Sequence, residues 1–180
     1  MKKILAFGAS TSKKSINQKL ADWASRQVNQ ATPTLIDLND FEMPIFSIDR
    51  QRENGIPPAA QRFKKLVEEH DGIVISLAEH NGAYAAAFKN IFDWVSRMEG
   101  SVWENRPMFL MATSPGKRGG ATVLDIAARR FPFNGGEVLA TFSLPSFNDN
   151  FGMEEGVIND DLKETFLEQL AIFEEGLSEK

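Results

Sequence analysis

The chain has 180 residues, of which 42% are hydrophobic and 25% charged, a composition typical of a globular protein long enough to form its own core. The net charge of −5 argues against nucleic acid as a partner, because proteins that bind it usually present a basic face. The absence of cysteine excludes disulfides and cysteine-based metal or iron–sulfur sites. The first apolar run, residues 4–7, is shorter than the roughly 7–15 residues of a signal-peptide core. No segment approaches the roughly 20 apolar residues of a membrane span, so we expect a cytoplasmic protein without a membrane partner.

Short apolar runs alternate with helical patterns along the chain. The runs predict strands at residues 4–7, 34–38, 72–77, 108–113 and 138–142, and the helical patterns lie near residues 15–30, 58–70, 83–98, 119–131 and 160–177. Because the runs mostly lack polar alternation, they are typical of strands that helices cover on both faces. We therefore predict a single α/β domain over residues 1–180, with a doubly wound, five-stranded parallel sheet and its ligand at the carboxyl ends of the strands.

One connection, residues 39–57, is longer than the others and carries the apolar side chains of Phe41, Met43, Ile45 and Phe46, which we expect to be exposed. Long loops at the ligand end of such a sheet often carry function. Two interpretations remain open. The segment is either a flap near the substrate or a subunit contact, or it packs on its own domain.

A loop rich in hydroxyl groups, with Gly8 at its turn, joins the first predicted strand to the first helix. The backbone N–H groups and the positive end of the dipole at a helix N-terminus bind anions, and Ser10, Ser12, Ser15 and Asn17 add side-chain donors. The loop lacks the glycine patterns of dinucleotide and triphosphate sites, so it suits a terminal phosphate monoester better than a pyrophosphate. A serine-rich helix cap without a ligand is the alternative.

The loop after the third predicted strand contains Glu79, His80, Asn81 and Gly82. Asn81 and Gly82 permit a positive φ, which lets backbone groups face the edge of a planar heteroaromatic ring. His80 has the chemistry to stack on such a ring or to form a hydrogen bond with it. A plain surface loop, with Tyr84 as a packing residue, is the alternative.

The loop after the fourth predicted strand is rich in glycine. Gly116, Gly119 and Gly120 allow the main chain to approach a flat ligand closely. Lys117 and Arg118 offer positive charge to an anionic ligand, such as the phosphate of a nicotinamide nucleotide. The alternative is a flexible turn with solvated cations.

Together the three loops resemble those of the NADPH-dependent FMN reductase family, the flavodoxin-like quinone, azo and chromate reductases. The family pattern G-S-x-R-x-x-S-x-N is similar to residues 8–17, GASTSKKSIN, with one residue of offset. The patterns P-E-Y-N and K-N-x-x-D-W are similar to residues 78–81, AEHN, and 89–94, KNIFDW, and S-x-G-x-x-G-G is similar to residues 114–120, SPGKRGG. The resemblance covers about residues 2–145. It departs where Ser12 replaces the arginine, with Lys13 and Lys14 as substitutes, and where Ala78 and His80 replace the proline and tyrosine.

The resemblance implies a flavodoxin-like sheet in the order 2-1-3-4-5, with FMN and NAD(P)H as cofactors. It implies that Lys117 and Arg118 contact the NAD(P)H substrate. The residues it implies for FMN binding are Ser10, Ser12, Ser15, Ile16, Asn17, Glu79, His80, Asn81, Gly82, Ser114, Gly116, Gly119 and Gly120. Hydride would pass from NAD(P)H through FMN to a small-molecule electron acceptor, a quinone or azo compound, by a ping-pong reaction in one pocket. No catalytic residue from the protein and no metal are expected.

A homodimer or homotetramer is also expected. The helix predicted over residues 83–98 carries more bulky apolar side chains than one buried face requires, and part of that stripe would then pack on a partner subunit. Core packing against the sheet is the alternative. Two other functions remain open: a flavodoxin-like electron carrier, and a non-catalytic binding subunit that has lost FMN.

Overall fold

The computed structural model describes residues 1–179. It contains a five-stranded parallel sheet that lies between helices. Its strands are β1 (Lys2–Ala9), β2 (Ala31–Leu35), β3 (Gly72–Leu77), β4 (Arg106–Thr113) and β5 (Gly136–Leu144). Their spatial order is β2-β1-β3-β4-β5, and every neighbouring pair is parallel. The predicted flavodoxin-like sheet of order 2-1-3-4-5 is therefore confirmed. The carboxyl ends of β1, β3 and β4 lie side by side, so the three loops that follow them meet at one edge.

Helices cover both faces of the sheet. They are α1 (Ile16–Gln27), α2 (Ile48–Asn54), α3 (Pro58–Glu69), α4 (Ala86–Val95), α5 (Ala121–Arg130), α6 (Phe147–Asn150) and α7 (Asp160–Ser178). Successive strand residues enter opposite cores: Ile4 packs with Phe166 of α7, whereas Leu5 packs in the cluster that contains Phe63 of α3 and Phe88 of α4. Burying a phenylalanine side chain contributes about 1.5–3 kcal/mol, so these two layers hold the sheet in place. Among residues 1–179, no helix combines the length and the apolar character that crossing a membrane requires.

The second strand comes earlier in the sequence than predicted, at Ala31–Leu35 instead of residues 34–38. It is an edge strand that pairs only with β1 and stays partly exposed, so it needs no continuous apolar run. Pro33 is tolerated there because an edge strand leaves some backbone N–H groups unpaired. The apolar character of residues 36–38 has another cause, since Leu38 is buried at the start of a single 3₁₀ turn, Leu38–Phe41.

The long connection after β2 packs on its own domain. Phe41 is buried, contrary to the predicted exposure, and Phe46 meets the ring of Trp94 edge-on at 5.0 Å between centroids. The indole N–H of Trp94 donates to the carbonyl of Pro44 at 2.7 Å. Ile45 remains 75% exposed. The connection also contains α2, which the apolar pattern did not predict because this helix has no buried residue.

The apolar side chains of α4 are buried in the core of the same chain. Phe88, Ile91, Phe92, Trp94 and Val95 are all buried against the sheet and the neighbouring helices. The stripe therefore does not support a subunit interface, and the alternative of simple core packing is correct.

Candidate cofactor site

The loops after β1, β3 and β4 surround a cavity of about 210 Å³ at the carboxyl edge of the sheet. Its lining residues come from all three loops and from the start of α1: Ser10, Ser12, Lys14, Ser15, Ile16, Asn17, Ala78, Glu79, His80, Thr113, Ser114 and Pro115. The structure thus brings together most of the residues implied for FMN binding, from positions far apart in the sequence.

The N-terminus of α1 faces this cavity without a neutralising acid. Ser15 caps the helix, and its hydroxyl accepts a hydrogen bond from the backbone N–H of Gln18 at 3.2 Å. The N–H groups of Ile16 and Asn17 have no acceptor among residues 1–179, as expected for the first turn of a helix. The first turn contains no acidic residue, and Lys14 lies just before it on the cavity wall. The arrangement leaves a positive helix end open to an anion.

A tight serine turn fixes the approach to α1. The hydroxyl of Ser10 accepts from the N–H of Ser12 at 3.1 Å, and the N–H of Ser15 donates to the carbonyl of Ser12 at 2.9 Å. Ser10 and Ser15 are buried, whereas Ser12 and Lys14 are exposed. These two bonds fix the path of the loop.

Gly8 lies within β1 rather than at the predicted turn. A Cβ atom at this position would lie 2.3 Å from the backbone nitrogen of Gln18, so glycine is required for α1 to cross β1 closely. The N–H of Gly8 donates to Oε1 of Gln18 at 2.7 Å, and Nε2 of Gln18 donates to the carbonyl of Ile36 at 2.9 Å. Sequence reasoning missed Gln18, since a glutamine in a first helical turn carries no special signal.

Asn17 joins the cavity wall to the sheet beneath it. Its Nδ2 donates to the carbonyl of Thr113 at 3.2 Å, and its Oδ1 accepts from the N–H of Thr113 at 3.1 Å and from the hydroxyl of Ser76 at 2.7 Å. The hydroxyl of Thr113 donates to the carbonyl of Leu144 at 2.7 Å. The amide of Asn17 thus faces the strands, and its backbone N–H is the donor that remains for a ligand. Ser76 and Thr113 were not among the predicted residues, because each lies inside an apolar run.

The loop after β3 is a small hairpin. Glu79–His80 pairs antiparallel with Ala83–Tyr84, and the turn between them has the predicted positive φ values, 53° at Asn81 and 74° at Gly82. The exposed His80 lines the cavity, whereas Asn81 and Gly82 at the tip do not. The contact of these two residues with FMN therefore stays a prediction.

Glu79 has a structural partner. One of its carboxylate oxygens accepts from the backbone N–H of Val123 at 3.0 Å, in the first turn of α5. A carboxylate at a helix N-terminus is favourable because it meets the positive end of the dipole. Glu79 therefore fastens the hairpin to α5 and also lines the cavity.

Tyr84 is a packing residue. Its ring stacks on Phe131 with the planes 12° apart and meets Phe88 at a centroid distance of 5.4 Å. Desolvation raises the pKa of the Tyr84 hydroxyl to about 12, although the nearby charge of Arg130 lowers it in part. The phenol is therefore neutral at physiological pH.

Two glycines of the loop after β4 are required by the packing of the chain itself. Gly119 and Gly120 have φ values of 56° and 73°, and a Cβ atom would lie 2.5 Å from Oγ of Ser143 at Gly119 and 2.9 Å from Cβ of Ala112 at Gly120. They let α5 begin close to β4 and β5. Neither lines the cavity, so their contact with FMN stays a prediction.

The remaining predicted residues of this loop are exposed. Gly116, Lys117 and Arg118 do not line the cavity, and the guanidinium of Arg118 donates to the hydroxyl of Thr122 at 2.7 Å. Contact of Gly116 with FMN, and of Lys117 and Arg118 with NAD(P)H, stays a prediction.

Residues 2–148 match the family described as NADPH-dependent FMN reductase. The chain belongs to this family. The predicted resemblance is therefore confirmed, as are FMN and NADPH as the cofactor and electron donor of the family.

A curated relative agrees with this assignment, and solved structures share the fold. The chain is 32% identical to a quinone reductase of Escherichia coli (strain K12) over 98 residues, which are 54% of this chain and 49% of that protein. The chain thus spans about half the length of this curated relative. The flavoenzyme NAD(P)H:(acceptor) oxidoreductase FerB of Paracoccus denitrificans has a TM-score of 0.79 at 20% identity, covering 99% of this chain and 98% of that one. An FMN-dependent NADH-azoreductase of Bacillus anthracis, in complex with FMN, has a TM-score of 0.61 at 15% identity, covering 99% of each chain. At these identities the two structures support the fold alone.

The donor set of the cavity fits the phosphate of FMN. The open N–H groups of Ile16 and Asn17, the ammonium of Lys14 and the hydroxyl of Ser12 are all suited to a phosphate oxygen. Glu79, the one carboxylate on the cavity wall, accepts from the N–H of Val123. Lys14 would replace the charge of the family arginine at a bound phosphate, although without the paired donors of a guanidinium.

Proposed function

We propose that this chain is an FMN-dependent NAD(P)H oxidoreductase that reduces a small acceptor, a quinone or azo compound, by a ping-pong mechanism. The observation that carries the proposal is the un-neutralised N-terminus of α1, which opens with Lys14 into a cavity walled by three loops. Membership of the NADPH-dependent FMN reductase family supplies the chemical context.

Each part of the cavity has a role in this proposal. Lys14, the hydroxyl of Ser12 and the N–H groups of Ile16 and Asn17 hold the phosphate, while the walls at residues 78–80 and 113–115 orient the flat ring. FMN, when bound, supplies the two-electron redox chemistry. The protein contributes position and electrostatics, and the exposed rim at His80 admits solvent protons.

No general acid from the protein is needed in this mechanism. The titratable groups on the cavity wall are Lys14, Glu79 and His80. Glu79 accepts from α5, and Lys14 serves the phosphate. We therefore expect a His80→Ala variant that still binds FMN to keep most of its turnover.

Lys117 and Arg118 are part of the proposal as the groups that meet the phosphates of NAD(P)H. Both are exposed on the loop after β4, next to Ser114 and Pro115 of the cavity wall. Their charge favours NADPH over NADH, since the additional 2′-phosphate is a strong acceptor for cationic donors.

A homodimer or homotetramer remains part of the proposal. The apolar residues of α4 no longer support it, but Ile45 and Phe133 are 75% and 80% exposed. Exposed apolar side chains of this size are commonly used in subunit contacts. Light scattering on the purified protein tests this, and a mass of one chain at micromolar concentration would contradict it.

Two departures from the family pattern favour a second function, an FMN-free binding subunit: Ser12 replaces the arginine and His80 replaces the tyrosine. Against it stands Lys14, which lines the cavity and offers a positive charge in the same loop.

The deciding experiment is the visible absorption spectrum of the purified protein during stepwise additions. We expect bands of oxidised flavin, either as purified or after adding FMN. They should bleach when NADPH is added without oxygen and return when a quinone follows. A protein that cannot be reconstituted with FMN would support the binding subunit. Bound flavin that NADPH leaves oxidised would support the electron carrier.

A further inference from the structure

The loop after β5 holds the glycine-rich loop after β4 in place. The N–H of Phe147 donates to the carbonyl of Ser114 at 3.0 Å, and the N–H of Ser146 donates to the carbonyl of Gly116, also at 3.0 Å. Ser114 lines the cavity between the three loops, whereas Ser146 and Phe147 do not. A segment outside the cavity wall therefore fixes the backbone of a loop that forms part of this wall.

The two loops are joined at further points. The hydroxyl of Ser143, near the end of β5, donates to the carbonyl of Gly119 at 3.1 Å. The approach is so close that a Cβ atom at Gly119 would lie 2.8 Å from the nitrogen of Pro145. Thr113, the cavity residue at the end of β4, donates its hydroxyl to the carbonyl of Leu144. Because hydrogen bonds run in both directions, the position of the glycine-rich loop follows that of the loop after β5.

Ser146 has an unusual backbone conformation. Its φ of 44° and ψ of 60° lie in the left-handed region, which is unfavourable for a residue with a Cβ atom. Its carbonyl accepts from the N–H groups of Asp149 at 2.8 Å and Asn150 at 3.2 Å, and Nδ2 of Asn150 donates to the carbonyl of Pro145 at 2.9 Å. Such strain persists only where the surrounding contacts over-determine it, and it clusters at functional sites. Here it directs the N–H groups of Ser146 and Phe147 to the glycine-rich loop.

The loop after β5 is anchored on α1, the helix that carries the proposed phosphate site. Phe147 is 4% exposed and stacks on Phe151 with 4.7 Å between the ring centroids. The ring of Phe151 meets Trp23 of α1 edge-on at 5.9 Å. The start of α1 forms one side of the cavity and residues 113–115 form another, so one apolar cluster supports both sides.

We propose that Ser146 is a positioning residue, whose left-handed backbone holds the glycine-rich loop in the conformation that binds the ring of FMN. The inference rests on the proposed function, in which residues 113–115 help to orient that ring. Ser146 contributes no reacting group, so its effect is on the binding of the ring and on the surroundings of the bound ring.

Two valine variants that carry the same backbone penalty test this role. A β-branched residue is strongly disfavoured at positive φ, so valine forces the loop to relax or to remain strained. Gln30, exposed at the amino end of β2 with a φ of 52°, is the matched control, since it lies away from the cavity. We expect Ser146→Val to weaken FMN binding roughly tenfold and Gln30→Val to leave it within about twofold, measured by fluorescence titration. Thermal unfolding without FMN compares the cost to the fold, and Ser146→Thr replaces the valine variant where that variant is unstable.

Glycine should reverse the effect, because it adopts a positive φ freely. Ser146→Gly keeps the N–H group that donates to Gly116 and loses only the side chain. We expect this variant to bind FMN within about twofold of the wild-type affinity. A loss as large as that of Ser146→Val would show that the side chain of Ser146, and not its backbone conformation, matters for binding.

The visible circular dichroism of bound FMN reports the surroundings of its ring, which a loss of stability alone would not change. At saturating FMN, we expect the flavin bands of Ser146→Val to differ in size from those of the wild type. The bands of Ser146→Gly and Gln30→Val should match the wild type.

The outcomes separate this inference from the proposed function. If the wild-type protein binds no FMN, the proposed function fails and this inference fails with it. If the wild type binds FMN but the two valine variants lose the same affinity, only the positioning role of Ser146 is wrong. Wild-type affinity and unchanged flavin bands in Ser146→Val would overturn that role as well.

Discussion

The N-termini of α1 and α5 lie at the same edge of the sheet, after β1 and β4, but the charges placed beside them differ. At α5 the carboxylate of Glu79 accepts from the N–H of Val123. At α1 no acidic residue stands in the first turn, and Lys14 adds positive charge. A helix end that is already neutralised has little attraction for an external anion, whereas an open end retains it. The difference favours α1 over α5 as the proposed site of the phosphate.

The largest expected effect concerns the way α1 is fixed to the sheet. We expect Asn17→Ala to lower the free energy of unfolding by about 3 kcal/mol, because it leaves buried groups of Thr113 and Ser76 without partners. Urea denaturation of the FMN-free protein measures this. A loss below about 1 kcal/mol would mean that α1 is held mainly by its apolar face.

The second prediction concerns a carboxylate placed near the N-terminus of α1, as Glu79 lies at the N-terminus of α5. Ser12→Asp places a carboxylate on the wall of the cavity between the three loops, so we expect FMN affinity to fall roughly 100-fold through repulsion of the phosphate. Fluorescence titration with FMN measures the change. Thermal unfolding without FMN is the control and should change little, since Ser12 is exposed. Unchanged FMN affinity would contradict the assignment of the phosphate to the N-terminus of α1.

The third prediction separates two neighbouring lysines. Lys14 lines the cavity between the three loops and Lys13 does not. We expect Lys14→Gln to weaken FMN binding roughly tenfold through loss of a charge-assisted hydrogen bond, and Lys13→Gln to leave it within about twofold. The same titration tests both variants. Equal effects would show that the two lysines act through the summed positive charge of the loop and that Lys14 forms no direct bond to the phosphate.

The smallest expected effect concerns α5. Glu79→Gln removes the carboxylate from the N-terminus of this helix, so we expect the free energy of unfolding to fall by about 1 kcal/mol. FMN affinity should not decrease, because the phosphate is assigned to α1. A large loss of FMN with unchanged stability would instead place Glu79 directly against the cofactor.

The sheet could be predicted from the sequence because its signal is local: apolar runs such as residues 72–77 are typical of buried strands. The serine-rich approach to α1 is an equally local signal for an anion site, and its ligand stays a prediction. β2 was misplaced because an edge strand needs no apolar run, and the apolar residue Leu38 belongs to the next turn.

Other features depend on contacts that no local pattern records. Gly119 and Gly120 are glycines because Ser143 and Ala112 leave no room for a Cβ atom, which is visible only when β4 and β5 are in place. The partner of Glu79 on α5 lies 44 residues away in the sequence.

The bond between Asn17 and Thr113 joins residues 96 positions apart in the chain. Bringing two such distant residues together costs loop-closure entropy, which the pairing of the intervening strands must offset. The wall of the cavity between the three loops is complete only when β4 has paired with β3. A ligand bound there therefore stabilises the fully folded chain and not a partly folded one.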